Sequence, residues 1–274
     1  MFKKIVAAMA FVGFGFNASA QNSNNTIDLP LLIIGASYAN GSTPYNNNIS
    51  PLGGIAVNFG SYLSLGQALS RSHRLPGYVI NEAQAGATTF ARSWCPPGSP
   101  TCGPANWESY ETMLNKALSR VALPPTFTQY NAEYVEVSMP NDCLHSDAFG
   151  VPQSQTTPCS NTQINEAVDR MIAVGQSAIS KGLIPIFEVM PKYEDLDLNL
   201  FKSLFGLSWV IDESSFQYLR QQMQSRITNE LPQAVVLDVW KNFVHIGDGI
   251  HPNPKTAKRA ANTIAKYIQS QQKK

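Results

Sequence analysis

Residues 30–38 read PLLIIGASY. The apolar run is short, shows no polar alternation and stops at Gly35. That pattern fits a strand buried on both faces, with a serine just beyond its carboxyl end. Four further runs have the same character: residues 78–81 (YVIN), 133–138 (EYVEVS), 183–189 (LIPIFEV) and 234–239 (AVVLDV). Each is too short for an independent helix and rich in Val and Ile, which suit a pleated, two-sided core.

Helical periodicity falls between these runs. Tyr62, Leu65 and Leu69 share one face, and residues 107–121 place Met113, Ala117 and Val121 four apart. Ile164, Val168, Met171, Ile172 and Ile179 mark a third helix, which Gly182 would stop. Phe216, Leu219, Met223, Ile227 and Leu231 mark a fourth. The last helix has a defined start, with Asn253 as N-cap and Pro254 in its first turn, and Ala257, Ala261, Ile264 and Ile268 on its inner face. Repeated strand–helix alternation implies a parallel sheet with helices on both sides. The expected architecture is therefore three-layer α/β/α, flavodoxin-like, with a five-stranded parallel sheet in a single domain over residues 21–274. One segment departs from the alternation. Leu198, Leu200, Phe201, Leu204, Phe205 and Trp209 crowd a stretch expected to be a loop. It reads either as a short helix packed on the body or as an apolar wall for an acyl chain.

The 274 residues carry 20 Lys+Arg and 19 Asp+Glu, and 14% of residues are charged, against roughly 25% in an average soluble protein. Near-neutrality argues against non-specific nucleic-acid binding. Residues 1–20 read as a signal peptide: Lys3 and Lys4, an apolar stretch too short to span a bilayer, then Ala18-Ser19-Ala20 before Gln21. No later stretch has the roughly 18 consecutive apolar residues of a membrane span. Cys95, Cys102, Cys143 and Cys159 make an even set, which in an oxidising compartment suggests two disulfides. The expected pairing is the local one, Cys95 with Cys102 and Cys143 with Cys159. The location expected is periplasmic or secreted.

In parallel sheets, sites lie beyond the carboxyl ends of the strands. There the sequence supplies Gly35-Ala36-Ser37-Tyr38, then residues 81–88 (NEAQAGAT), Met139-Pro140-Asn141-Asp142, and Asp248-Gly249-Ile250-His251-Pro252. A serine on a strand-end turn, a histidine to take its proton and an aspartate to fix that histidine are the parts of an acyl-transfer site. Backbone N–H groups and an Asn amide can meet a developing oxyanion. Taken together and in this order, the four blocks resemble those of the SGNH hydrolases, the GDSL-type esterases and lipases. The resemblance spans residues 35–252 and implies a serine esterase. Ser37 would be the nucleophile, His251 the general base and Asp248 its partner. The N–H groups of Ser37 and Gly86, with the Asn141 side chain, would form the oxyanion hole. No cofactor and no metal are implied.

Two blocks depart from the family pattern. Residues 35–38 read GASY where the family often has GDSL, and Met139 stands where it often has Gly. The second change reduces backbone freedom and predicts a differently seated Asn141 loop. The disulfide at Cys143 either staples a surface loop or stiffens the Asn141 loop in compensation for the missing Gly. Among the other histidines, His73 reads as a solvated helix end, His145 as a surface-loop residue or, as the alternative, a lining residue of the pocket, and His245 as a structural member of the last loop. Asp142 and Asp238 are candidates for supporting roles. Trp94 and Trp107 could stack on sugars or simply pack their loops. The expected substrate is a small-molecule, glycan or lipid ester, with no nucleic-acid partner. A non-catalytic ligand-binding module on the same fold is the alternative.

Overall fold

The computed structural model describes residues 29–40, 63–75, 77–93, 106–146 and 157–272. The predicted signal peptide, Cys95, Cys102, Trp94 and Tyr62 lie outside these residues.

Five parallel strands form the central sheet: β1 (Leu31–Ile34), β2 (Val79–Asn81), β7 (Tyr134–Val137), β8 (Ile184–Glu188) and β9 (Val235–Leu237), in the order β2-β1-β7-β8-β9. Two short antiparallel ribbons, β3 (Arg92–Ser93) with β4 (Asn106–Trp107) and β5 (Ala122–Leu123) with β6 (Gln129–Tyr130), are additions that the apolar pattern did not reveal. Every residue of β1 and β7 is buried, which explains their lack of polar alternation. The strand order doubles back at β1, next to β7, so the crevice at the carboxyl ends of these two strands is the natural place for a site.

Helices α2 (Tyr110–Ser119), α3 (Asn161–Ser180) and α5 (Glu213–Glu230) pack in succession on one face, while α1 (Leu65–Ser70) and α6 (Pro254–Gln271) pack together on the other. The expected three-layer arrangement is therefore present. The helix starts follow capping chemistry. Ser64 and Gln67 form a capping box on α1, Ser160 and Gln163 form one on α3, and Asn253 caps α6 with Pro254 in its first turn. The helix predicted over 107–121 is shorter than expected, because Trp107 belongs to β4 and Ser109 is the N-cap. The apolar stretch near residue 200 forms α4 (Leu198–Phe205), with Leu198 and Phe201 buried, so this much of the packed-helix reading holds. None of the helices described is long and apolar enough to cross a membrane.

Candidate active site

The nucleophile candidate Ser37 sits in the turn that leaves β1, in which both Ala39 and Asn40 donate backbone N–H groups to the Ala36 carbonyl. Helix α1 takes its cap from Ser64, so it does not need Ser37 for that purpose. Tyr38 turns inward and is almost completely buried. Its hydroxyl donates to the carbonyl of Ile250, and its ring lies 5.2 Å from Trp240 edge-on and 6.1 Å from His251. One residue beyond Ser37, the first block is thus fastened to the last.

The last block is a tight loop held by its own members. Asp248, 1% exposed, accepts at Oδ1 from the N–H groups of Ile250 (3.0 Å) and His251 (2.9 Å). Its Oδ2 lies 2.6 Å from His251 Nδ1. Burial pushes the Asp248 carboxyl up, but the charge and hydrogen bond of His251 and the two backbone donors outweigh it, holding the carboxyl below its ordinary range. His245 does what the sequence suggested: its Nδ1 accepts from Gly247 (3.0 Å) and Gly249 (3.2 Å), bracing the loop. Gly249 is required twice over. Its φ is +91°, and a Cβ there would lie 2.1 Å from the Asp197 carbonyl oxygen at the start of α4.

Opposite this loop, the Gly86 turn and the Asn141 loop meet. Asn141 donates both its backbone N–H (3.2 Å) and its Nδ2 (3.0 Å) to the Ala87 carbonyl. That leaves one amide hydrogen on Nδ2 for another acceptor. Gly86 has φ +81°, and its N–H meets no hydrogen-bond acceptor among the described residues. Its carbonyl is instead taken by Arg92, whose guanidinium stacks 4.3 Å above the Trp107 ring. Trp107 Nε1 donates to the neighbouring Ala85 carbonyl at 2.7 Å. Trp107 therefore anchors the turn.

Asp142, raised only as a supporting candidate, is buried and accepts from both the N–H (2.8 Å) and the hydroxyl of Thr89. Arg170 of α3 completes the cluster, with Nη2 3.1 Å from Asp142 and Nε 2.7 Å from Thr89 Oγ1. Cys143 bonds to Cys159, tying the Asn141 loop to the residue before the α3 cap. Cys95 and Cys102 lie outside the described residues. Met139 does not have the positive φ that would demand glycine. Cys143, at φ +61°, is the strained member of this loop.

Two expectations fail. His145 is not on a surface loop: it is 6% exposed, with its ring 5.1 Å edge-on to Phe201. Burial, then the charges of Arg92 and His251, push it down to about 3, so it stays neutral at ordinary pH. Asp238 is exposed, and its ion pair is with Lys241 rather than with a residue of the site. Phe201 of α4 lies 6.3 Å from His251, so the apolar segment is both a packed helix and a border of the site. Beneath the strand ends, Glu136 and Glu188 are buried on adjacent strands, and Trp240 Nε1 donates to Glu188 at 2.7 Å. Burial raises both carboxyls, and the Glu188 charge raises Glu136 further. Their signal in sequence was a lone acid inside each of two apolar runs. Among the described residues, no group of three or more His, Cys, Asp or Glu is placed to hold a metal ion.

All five candidate residues, Ser37, Gly86, Asn141, Asp248 and His251, thus occupy the carboxyl end of the sheet. The architecture recurs in a carbohydrate acetylesterase from Sinorhizobium meliloti: 16% identity, 89% of this chain and 99% of that one, TM-score 0.56. It recurs equally in the native aryl esterase of M. smegmatis: 14% identity, 88% and 99% coverage, TM-score 0.56. The three-layer α/β/α fold is shared with both of these esterases. At such identities the likeness concerns the fold. No protein-family model and no curated protein sequence matches the chain.

Proposed function

We propose that the protein is an exported serine esterase that hydrolyses carboxylic esters through an acyl-enzyme. The observation that carries this reading is the 2.6 Å contact between Asp248 and His251 Nδ1, on a loop fastened to the Ser37 turn through Tyr38. With Nδ1 engaged, Nε2 is the ring nitrogen left to act as base. In the proposed reaction Ser37 Oγ attacks the ester carbonyl carbon as His251 Nε2 takes its proton. The Gly86 and Ser37 N–H groups and the second Asn141 amide hydrogen receive the oxyanion. The tetrahedral intermediate collapses, the C–O bond to the alcohol breaks, and His251 returns the proton to the leaving oxygen. Water then repeats the sequence on the acyl-Ser37 ester and releases the acid. Asp248 stabilises the imidazolium formed in each half.

The rings of Tyr38 and Phe201 lie 6.1 and 6.3 Å from that of His251, and the ester acted on is that of an acetylated glycan or of a lipid acyl chain. Export is supported by the signal-like residues 1–20 and by the Cys143–Cys159 disulfide. The test is hydrolysis of p-nitrophenyl esters from acetyl to dodecanoyl by the wild type and by Ser37→Ala. The expected result is hydrolysis that is abolished in the variant, with the chain-length profile separating an acetylated glycan from a lipid ester. A folded wild type inert toward every ester would instead favour the non-catalytic binding module.

A further inference from the structure

Outside the site, the charge of this near-neutral chain is unevenly used. Most cations of the body have an acidic partner: Lys116 with Glu108, Arg120 with Glu82, Arg170 with Asp142, Arg226 with Asp169 and Glu230. Helix α6 is different. It contains no acidic residue, and among the described residues none of Lys255, Lys258, Arg259 and Lys266 pairs with a carboxylate. Segments outside the described residues contribute just Asp28 and Asp147 to the acid count. Lys255, Lys258, Asn262 and Lys266 are all exposed, and they recur every three or four positions on one face. With Arg259, which is tethered through Nη2 to the Asn242 carbonyl at 2.7 Å, they border a shallow, open groove of about 610 Å³ whose lining belongs to α6 alone. The stripe runs for about 16 Å along the helix and begins at Pro254, three residues past His251.

We infer that this face of α6 is a docking track for an anionic polysaccharide, the chain that bears the ester presented to Ser37. That the occupant is the substrate rests on the esterase reading; the charge of the groove does not. Three features of the face select the occupant. Unpaired cations spaced within about one screening length of each other attract a linear polyanion more than any isolated charge. The exposed residues of α6 include no aromatic or aliphatic side chain, so nothing on the face can insert into a lipid surface or stack on nucleobases. Asn262, in the middle of the stripe, offers both a donor and an acceptor for sugar hydroxyls.

The experiment is affinity electrophoresis of the full chain through gels containing polygalacturonate or a neutral β-glucan. Wild type, Ser37→Ala and the triple variant Lys255→Gln/Lys258→Gln/Lys266→Gln are run side by side. The wild type and Ser37→Ala should be retarded by polygalacturonate alone, and less so as salt is added. The triple variant should lose affinity by about tenfold. Equal retardation of wild type and triple variant, equal retardation by both glycans, or tighter binding to phosphatidylglycerol vesicles or DNA than to polygalacturonate would each overturn the inference. Hydrolysis of p-nitrophenyl acetate in the same samples reports on the ester site separately. A silent wild type there sinks the esterase reading, while the retardation still judges the groove.

Discussion

The two sides of the proposed site are built by different means. On the acid–base side, residues 245–251 hold one another: His245 braces Gly247 and Gly249, and Asp248 gathers the N–H groups of Ile250 and His251. On the oxyanion side, the Gly86 turn and the Asn141 loop depend on residues outside them, from six positions away for Arg92 to 28 for Arg170. Arg92 and Trp107 hold the turn; Arg170 and Cys159 hold the loop. The first loop takes most of its hydrogen bonds from within, with Tyr38 and Asp197 reaching it from outside. A loop held from a distance keeps its geometry only while the whole fold does. In the proposed site the acid–base pair sits in the first kind of loop and two of the oxyanion donors, Gly86 and Asn141, in the second.

The sharpest way to separate the sides is to cut each at its centre. Asp248→Asn leaves the loop's shape nearly intact but offers His251 the wrong hydrogen-bonding partner. Turnover of p-nitrophenyl acetate should fall by about 10⁴-fold with KM little changed. Because the native Asp248 carboxyl titrates below its unfolded value, its contribution to stability is present above the unfolded value. That contribution is lost as pH falls through the native one. Urea titrations of the variant should therefore show a flatter acid limb. Asn141→Ala removes one oxyanion donor, and the same assay should read a loss of about 10²–10³-fold.

The distant supports should matter less to the chemistry and more to the fold. Cys143→Ser/Cys159→Ser opens a link spanning 16 residues, which corresponds to about 3 kcal/mol of stability. Calorimetry should show the lower Tm, and turnover should drop along with it because the Asn141 loop is loosened. Unchanged turnover in the folded variant would show that the disulfide merely staples the surface. The smallest effect is expected at His145. Its depressed value means that the unfolded chain binds a proton between about pH 6.5 and 3 that the native state refuses. Native stability thus declines as pH falls through that window, and His145→Leu should remove that part of the slope while leaving neutral-pH turnover within about threefold.

The same contrast explains what could be read in the sequence. The five sheet strands were legible because their short Val- and Ile-rich runs lack the polar alternation of a one-sided strand, although only β1 and β7 are buried throughout and β2 and β9 are half-buried, and α6 because Asn253-Pro254 is a local start signal. Asp248 and His251 were legible for the same reason: their partners lie within three residues. The Arg92–Trp107 stack, the Arg170–Asp142–Thr89 cluster and the bond from Tyr38 to Ile250 were not, since each joins residues whose proximity only the folded sheet creates. His145 was misread because position in a loop says nothing of burial when a separate helix, α4, covers that loop. The short ribbons β3–β4 and β5–β6 were missed because two-residue strands carry no period.

The central claim is that Ser37 is a nucleophile activated by the Asp248–His251 pair. The most direct measurement is intact-protein and peptide mass spectrometry after exposure to a serine-reactive fluorophosphonate. The account predicts one stoichiometric adduct on the Ser37 peptide, absent in Ser37→Ala and formed far more slowly in His251→Ala. No adduct on the folded wild type, or an adduct on another residue, would contradict it.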